Sequence, residues 1–132
     1  MKKIGLLLIA IIALISCEKG PGEGGEAKIT GTVIMEDWNV DFTFRRDSFP
    51  AQAYDVYIIY GDDPYFGDKI ETNYDGYFEF NYLREGDYTI YTYSKDKTLD
   101  YNMTSQLTTV MREVSITEKD QVVTVEDMVV IK

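Results

Sequence analysis

Residues 27–132 are predicted to fold into an all-β domain. From Ala27 onward no window of the sequence keeps a helical period, whereas period-two runs rich in Val, Ile, Thr, Tyr and Phe recur at short intervals. Clusters of Gly, Asn and Asp separate these runs, as expected of turns between strands. About 105 residues bury roughly two-thirds of their extended-chain surface, so a two-sheet core is feasible without a disulfide.

The strands are predicted in order along the chain. They cover residues 28–35, 40–44, 54–60, 69–73, 77–82, 88–94, 107–116 and 121–131, the last with a break allowed at Glu126 and Asp127. Alternation places Val40, Phe42 and Phe44 on one inward face. The same alternation predicts that four further side chains lie in the core: Phe78, Phe80, Tyr88 and Ile90.

Two short segments predict hairpin turns. In residues 73–76, Gly76 accepts the positive φ that a tight turn demands, and Asp75 tolerates the geometry beside it. Residues 84–87, which contain Gly86, are predicted to form the turn between the next two strands. These turns fix where the neighbouring strands begin and end.

Residues 1–16 are predicted to be a secretory signal peptide. Lys2 and Lys3 precede an apolar run from Ile4 to Ile15, and the small Ser16 follows. The run is about 12 residues, against roughly 20 for a helix that crosses a bilayer, so a permanent span is disfavoured relative to a cleaved leader. An uncleaved anchor is the alternative interpretation.

Cys17 is predicted to be a lipidation site. Residues 14–17 read LISC, which resembles the lipobox of bacterial lipoproteins, where the chain is cut before the cysteine and the thiol receives a diacylglyceryl group. A thiolate is a strong nucleophile for that transfer, and this is the one cysteine of the chain. Two or three acyl chains, such as palmitate, would give stable membrane anchoring.

Residues 17–26 are predicted to join the lipid anchor to the domain as a flexible tether. After Cys17, the segment EKGPGEGGE contains four glycines, one proline and no apolar side chain. Its acidic residues resemble the surface-export signals of some lipoproteins. We therefore expect the protein in the bacterial cell envelope, at the outer membrane.

Composition excludes several classes of function. The chain has no histidine, which excludes Ser-His-Asp and Cys-His catalysis and His-ligated metals. One cysteine excludes an intrachain disulfide and a multi-cysteine metal site. The formal charge is −10, and loss of residues 1–16 leaves 11 basic residues against 23 acidic, or −12. Nucleic acid is therefore not an expected partner.

The middle of the domain resembles a known family. Eight positions follow the pattern T-x-x-x-G-x-F-x-F-x-x-L-x-x-G-x-Y-x-V: Thr72, Gly76, Phe78, Phe80, Leu83, Gly86, Tyr88 and Ile90. This pattern resembles the carboxypeptidase regulatory-like, or transthyretin-like (prealbumin-like), β-sandwich family. The resemblance implies about seven strands in two packed antiparallel sheets and no catalysis. Catalytic relatives of this fold use histidine, which this chain lacks.

Tyrosines supply the candidate binding surface. The chain has 11, and alternation places Tyr57, Tyr77, Tyr91 and Tyr93 on outer faces of adjacent strands. Aromatic rings with a polar tip suit recognition of sugars or proteins. The alternative interpretation is cross-strand pairing, which stabilises a sheet by roughly 0.2–1 kcal/mol per pair and needs no ligand.

Acidic residues between Gly61 and Asp75 are weak calcium candidates. Asp62, Asp63 and Asp68 could supply oxygen ligands, but their spacing matches no EF-hand loop, so a solvated loop is the expected state and no metal or other cofactor is expected. The sequence thus predicts a non-enzymatic, lipid-anchored binding or adhesion module whose partner is a glycan or an envelope protein. The alternative is a structural or accessory subunit of an envelope complex for nutrient uptake or a surface fibre.

Overall fold

The computed structural model describes residues 19–96 and 107–132, and these residues form an all-β sandwich of two sheets. The strands are β1 (Glu23–Trp38), β2 (Arg45–Pro50), β3 (Asp55–Tyr60), β4 (Asp68–Glu71), β5 (Tyr77–Leu83), β6 (Gly86–Lys95), β7 (Leu107–Ile116), β8 (Val122–Thr124) and β9 (Met128–Ile131). The predicted fold class is confirmed. Within these two ranges there is no helix that could cross a membrane. Cys17 and residues 1–16 lie outside the described residues.

The first sheet is built around the 16-residue strand β1, which pairs with other strands along both of its edges. The first half of β1 lies between antiparallel β5 and parallel β8, and the second half lies between antiparallel β2 and parallel β9. The parallel pairs differ from the all-antiparallel expectation. β7 ends near the start of β1. The strands that follow it, β8 and β9, therefore run along β1 in the same direction as β1.

The second sheet has the order β4-β3-β6-β7 and is antiparallel throughout. β6 and β7 pair over ten residues, from Gly86 opposite Ile116 to Lys95 opposite Leu107. Tyr57 of β3 lies opposite Tyr91 of β6. This register determines which side chains meet on the outer face.

The core lies between the sheets and contains the side chains that alternation assigned to it. Phe78, Phe80, Tyr88 and Ile90 are at most 3% exposed. Two buried hydroxyls on β6 are hydrogen-bonded: Thr92 donates to the carbonyl of Asp55 at 2.6 Å. Ser94 accepts from the backbone N–H of Ile131 at 2.9 Å and so ties the two sheets together.

The predicted strand at residues 40–44 is wrong. These residues form a turn in which Val40 and Phe44 are 67% and 59% exposed. The Asn39 side chain accepts backbone N–H groups of Thr43 and Phe44, at 2.9 and 3.0 Å. Such local hydrogen bonds compete with strand pairing. The strand instead begins at Arg45 and pairs with the end of β1.

The tether predicted over residues 17–26 is shorter than its composition suggests. Gly22 is buried, and β1 already begins at Glu23. The backbone N–H of Arg84 donates to the carbonyl of Gly22 at 2.9 Å. The glycine-rich segment is therefore bound to the domain from residue 20 onward.

Candidate aromatic binding site

Four aromatic rings form a continuous cluster on the outer face of the second sheet. We call Tyr57, Phe66, Tyr91 and Tyr93 the aromatic platform. Tyr57 and Tyr91 are stacked, with ring centroids 4.9 Å apart and planes 10° apart. Tyr93 meets both edge-to-face at 5.6 and 5.8 Å, and Phe66 meets Tyr57 at 5.0 Å. Offset-stacked and edge-to-face geometries are the favoured ones for aromatic pairs.

The strands position the platform directly. The stacked pair follows from the β3–β6 register, and Tyr93 is two residues further along the same face of β6. The Tyr54 hydroxyl donates to the backbone carbonyl of Tyr93 at 2.5 Å. Because Tyr57, Tyr91 and Tyr93 stand on paired strands, these three rings are held in place without a ligand.

Apolar surface of the platform remains open to solvent. Phe66 is 49% exposed and Tyr93 39% exposed. Met111 of β7 lies opposite Tyr91 and extends the apolar row by one strand, while Leu107 stands near the far end of the same strand. The platform is thus an accessible surface and not a buried part of the core.

Charged groups border the platform on β3 and β4. Lys69 lies opposite Tyr57, and its ammonium is 3.9 Å from a carboxylate oxygen of Asp55. Both side chains are nearly half exposed, so this pair contributes little stability. The Lys69–Asp55 pair places hydrogen-bonding groups at the edge of the aromatic platform.

A polar depression of about 300 Å³ lies on the same sheet, toward the β5–β6 turn. Its lining residues are Gly61, Asp62, Asp87, Tyr88, Thr89, Glu113, Val114 and Ser115. Thr89 and Glu113 are two residues along the strands from the Tyr91–Met111 pair. The Ser115 hydroxyl donates to the carboxylate of Asp87 at 2.8 Å. Apolar rings and hydrogen-bond acceptors therefore share one face of the domain.

The Tyr91 hydroxyl stays protonated over the physiological pH range. Burial raises the pKa of Tyr91, and the neighbouring Tyr93 and Tyr57 raise the pKa further. A neutral phenol can both donate and accept a hydrogen bond. The centre of the platform therefore carries no charge of its own.

Tyr77, predicted to belong with the other three tyrosines, lies elsewhere. It is on β5 in the first sheet, and its hydroxyl donates to Glu79 at 2.8 Å. Lys28 holds the same carboxylate at 3.3 Å. The bond from Tyr77 is the main cause that lowers the pKa of Glu79. Tyr77 thus serves a polar network on the opposite side of the sandwich.

The calcium candidates do not form a site. Asp62, Asp63 and Asp68 lie between β3 and β4 or at the start of β4. Across residues 19–96 and 107–132, no three His, Cys, Asp or Glu side chains are grouped as metal ligands. Asp62 instead lines the polar depression.

Phe66 is the platform residue that sequence reasoning missed. It lies in the connection between β3 and β4, where alternation gives no information about direction. The backbone N–H of Gly67 donates to the carbonyl of Ile58 at 2.8 Å and folds this connection back over the sheet. Two adjacent aromatic residues in an acidic loop, Tyr65 and Phe66, were the available signal.

The raised pKa of Tyr60, the last residue of β3, predicts that the free energy of unfolding declines at alkaline pH. Its ring packs on Tyr88 at 5.9 Å, and burial, followed by Glu23 and Asp68, raises the pKa of Tyr60 to about 12. Between pH 10 and 12 the unfolded chain loses this proton while the folded chain keeps it, so the free energy of unfolding falls as pH rises. Tyr60→Phe should flatten this decline in urea titrations. Tyr65→Phe, at an 80% exposed position, should leave it unchanged, and equal slopes for both variants would contradict the assignment.

Comparisons with known proteins show only distant likeness. No protein-family model matches the chain, and no curated protein matches it. A candidate carbohydrate-binding protein from Pseudomonas aeruginosa is similar with a TM-score of 0.48 at 12% identity, over 84% of this chain and 91% of that one. (S)-allantoin synthase is similar with a TM-score of 0.41 at 15% identity, over 93% of this chain and 46% of that one, so the match spans less than half of the synthase. Neither likeness carries an inference about ligand or activity.

Proposed function

We propose that the protein is a lipid-anchored lipoprotein of the bacterial envelope that binds carbohydrate, without catalysis, through the outer face of its second sheet. The observation that carries this proposal is the aromatic platform, a solvent-open cluster in which three rings stand on the paired strands β3 and β6 and the fourth, Phe66, packs on them from the β3–β4 connection. The transthyretin-like resemblance of residues 72–90 is consistent with a binding module.

The exposed rings favour a sugar ligand. Phe66 and Tyr93 offer apolar surface for the C–H face of a sugar ring, and the tyrosine hydroxyls offer hydrogen bonds at its edge. Tyr57 and Tyr91 are stacked on each other, so they support the surface more than they contact a ligand. Sugar contact is therefore assigned mainly to Phe66 and Tyr93.

The polar depression supplies the second requirement of a sugar site. Its Asp62, Asp87 and Glu113 carboxylates accept hydrogen bonds from ligand hydroxyls. Its volume of about 300 Å³ is at the lower end of the range for small-ligand sites. Because these groups are anionic, neutral glycans are expected to bind better than glycans that carry uronic or sialic acids.

A glycan array tests the proposal with the mature protein. Neutral glycans should be retained, and a Phe66→Ala/Tyr93→Ala double variant should bind at least about tenfold more weakly, as expected for central aromatic contacts. Tyr65→Ala is the matched control, since Tyr65 is 80% exposed next to Phe66 and outside the platform. Its affinity should stay within about twofold.

Three results would contradict carbohydrate binding at the platform. One is an array without retained glycans, and another is unchanged affinity in the double variant. The third is capture of an envelope protein by crosslinking on intact cells with no glycan retained, which would favour an accessory subunit of an envelope complex. Lipid anchoring is tested separately, by the intact mass of the mature amino terminus.

A further inference from the structure

Residues 20–25, which we call the strap, are held against the domain by hydrogen bonds from Arg84. The Arg84 side chain donates to the carbonyl of Gly20 at 2.7 Å and to the carbonyl of Glu23. Its backbone N–H donates to the carbonyl of Gly22 at 2.9 Å. Three backbone carbonyls of the strap, those of Gly20, Gly22 and Glu23, are therefore bound by one residue of the β5–β6 turn.

The buried Tyr88 also hydrogen-bonds both the strap and Arg84. Its hydroxyl donates to the carbonyl of Arg84 at 2.6 Å and accepts the N–H of Gly22 at 2.9 Å. Tyr88 is 2% exposed, so these bonds are shielded from water. The strap is thus bound to a buried group of the domain and not only to its surface.

The glycines of the strap are required by close approach. A Cβ at Gly25 would lie 2.1 Å from the carbonyl oxygen of Leu83. Gly22 and Gly24 have φ of +142° and +115°, and a Cβ on either would lie 3.0 Å from the Arg84 guanidinium. The glycines that predict a flexible linker therefore also allow the strap to pack closely against Leu83 and Arg84.

The strap leaves the sandwich at one end. Pro21 lies against Gly61 and Gly86, where a Cβ would be 3.4 and 2.4 Å from its ring. We call Pro21, Gly61, Arg84 and Gly86 the anchor pole. β1 runs away from this pole to Trp38. Glu23 and Ala27 both lie opposite Leu83, so the extended part of the strand begins at Ala27 and places Trp38 about 36 Å further along at 3.3 Å per residue.

We infer that the anchor pole faces the lipid surface and that the domain stands upright on it, with the Trp38 end directed away. This inference rests on the proposed lipidation of Cys17. Cys17 precedes Gly20 by three residues, a covalent span of at most about 11 Å. A freely flexible tether through residue 26 would let the domain tumble, whereas the gripped strap holds one end near the headgroups.

The upright orientation determines how the aromatic platform is presented. Tyr91 and Tyr93 lie five and seven residues along β6 from Gly86, or about 17 and 23 Å from the anchor pole. In this orientation the platform lies above the membrane, on a face of the domain that is roughly perpendicular to the lipid surface. The polar depression shares Gly61 with the anchor pole, so a glycan bound at the platform would extend from it toward the headgroups.

Trp38 supplies an intrinsic probe, because it is the only tryptophan of the chain. The mature lipoprotein is incorporated into phosphatidylethanolamine–phosphatidylglycerol vesicles that contain dansyl-labelled phosphatidylethanolamine. Energy transfer from Trp38 to dansyl should be low in the wild type. Arg84→Gln should release the strap and raise the transfer at least twofold, because the freed domain can bring Trp38 near the lipid. Arg46→Gln, which removes an exposed arginine of β2, is the matched control and should leave the transfer unchanged.

Proteolysis by an endoproteinase specific for glutamate tests the grip itself. The bond after Glu23 should be cut at least tenfold faster in Arg84→Gln than in the wild type or in Arg46→Gln. Tyr88→Phe removes the hydroxyl and keeps the ring, so it should also accelerate this cut, and it serves as the second variant if Arg84→Gln loses its β-sheet circular dichroism. Equal cutting of all variants would overturn the grip.

The vesicle assay separates the two proposals. A wild-type protein that does not sediment with vesicles would overturn the anchoring and, with it, the orientation. A wild-type protein that sediments but shows high transfer from Trp38 would overturn the orientation alone.

Discussion

Phe78→Ala is expected to lower the free energy of unfolding by about 3–5 kcal/mol, because truncation of a buried phenylalanine loses transfer free energy and leaves a cavity. Phe78 is 2% exposed and packs edge-to-face on Phe80 at 6.0 Å. Its ring also lies against the backbone of β1, since a Cβ at Gly31 would be 2.5 Å from it.

Urea unfolding followed by circular dichroism measures this loss. Tyr74→Ala is the control, because Tyr74 is 82% exposed in the turn before β5, and its effect should stay within about 0.5 kcal/mol. Small domains are stable by only about 5–15 kcal/mol, so Phe78→Ala should remove a large part of the total. A loss below about 1 kcal/mol would mean that the two sheets do not pack around this ring.

Gly76→Ala is expected to cost about 2–4 kcal/mol through the backbone. Gly76 has a φ of +72°, a left-handed conformation that costs a residue with a Cβ about 1–2 kcal/mol. The added Cβ would also lie 2.4 Å from the carbonyl oxygen of Val33. That carbonyl accepts the N–H of Ala51 at 2.9 Å, and the N–H of Val33 donates to Gly76 at 2.8 Å. Relief of the clash must therefore disturb two backbone hydrogen bonds.

Gly20→Ala provides the matched control for this substitution. No atom lies within 4 Å of a Cβ at Gly20, and its φ is not in the left-handed region. Its effect on the urea midpoint should be small, within about 0.5 kcal/mol. Similar losses for the two glycine variants would show that the turn before β5 is not under the steric constraint described.

The fold was predictable where alternation and turn chemistry agreed. β7 spans the predicted residues 107–116, and β5 and β6 flank the predicted turn at Gly86. The C-terminal segment is interrupted between Thr124 and Met128, around the predicted break. Each of these segments has apolar residues on one face and a glycine or polar turn beside it, so local and tertiary preferences coincide.

The errors in the fold have local physical causes. Val40, Phe42 and Phe44 alternate like a strand, but Asn39 binds the backbone ahead of it and closes a turn. β2 has no buried residue, so hydrophobic pattern gave no signal for it. Composition predicts a flexible strap, because glycine content does not reveal a tertiary partner such as Arg84.

The site was predictable only in part. Alternation identified Tyr57, Tyr91 and Tyr93 as outward residues, and the β3–β6 register brings them together. Alternation cannot assign a strand to one of two sheets, which is why Tyr77 was grouped with them although β5 belongs to the other sheet. Phe66 joins through the β3–β4 loop, whose path depends on the backbone hydrogen bond from Gly67 to Ile58, and alternation does not predict that bond.

Amide chemical-shift mapping of the isotope-labelled mature protein, titrated with a neutral glycan retained on the array, tests directly that the second sheet's outer face is the binding surface. The largest shifts are expected at the aromatic platform and along β6 and β7 toward Thr89 and Glu113. Shifts centred on Tyr77 and Glu79, on the opposite side of the sandwich, would contradict the proposed site, as would saturation with no shift at Tyr91 or Tyr93.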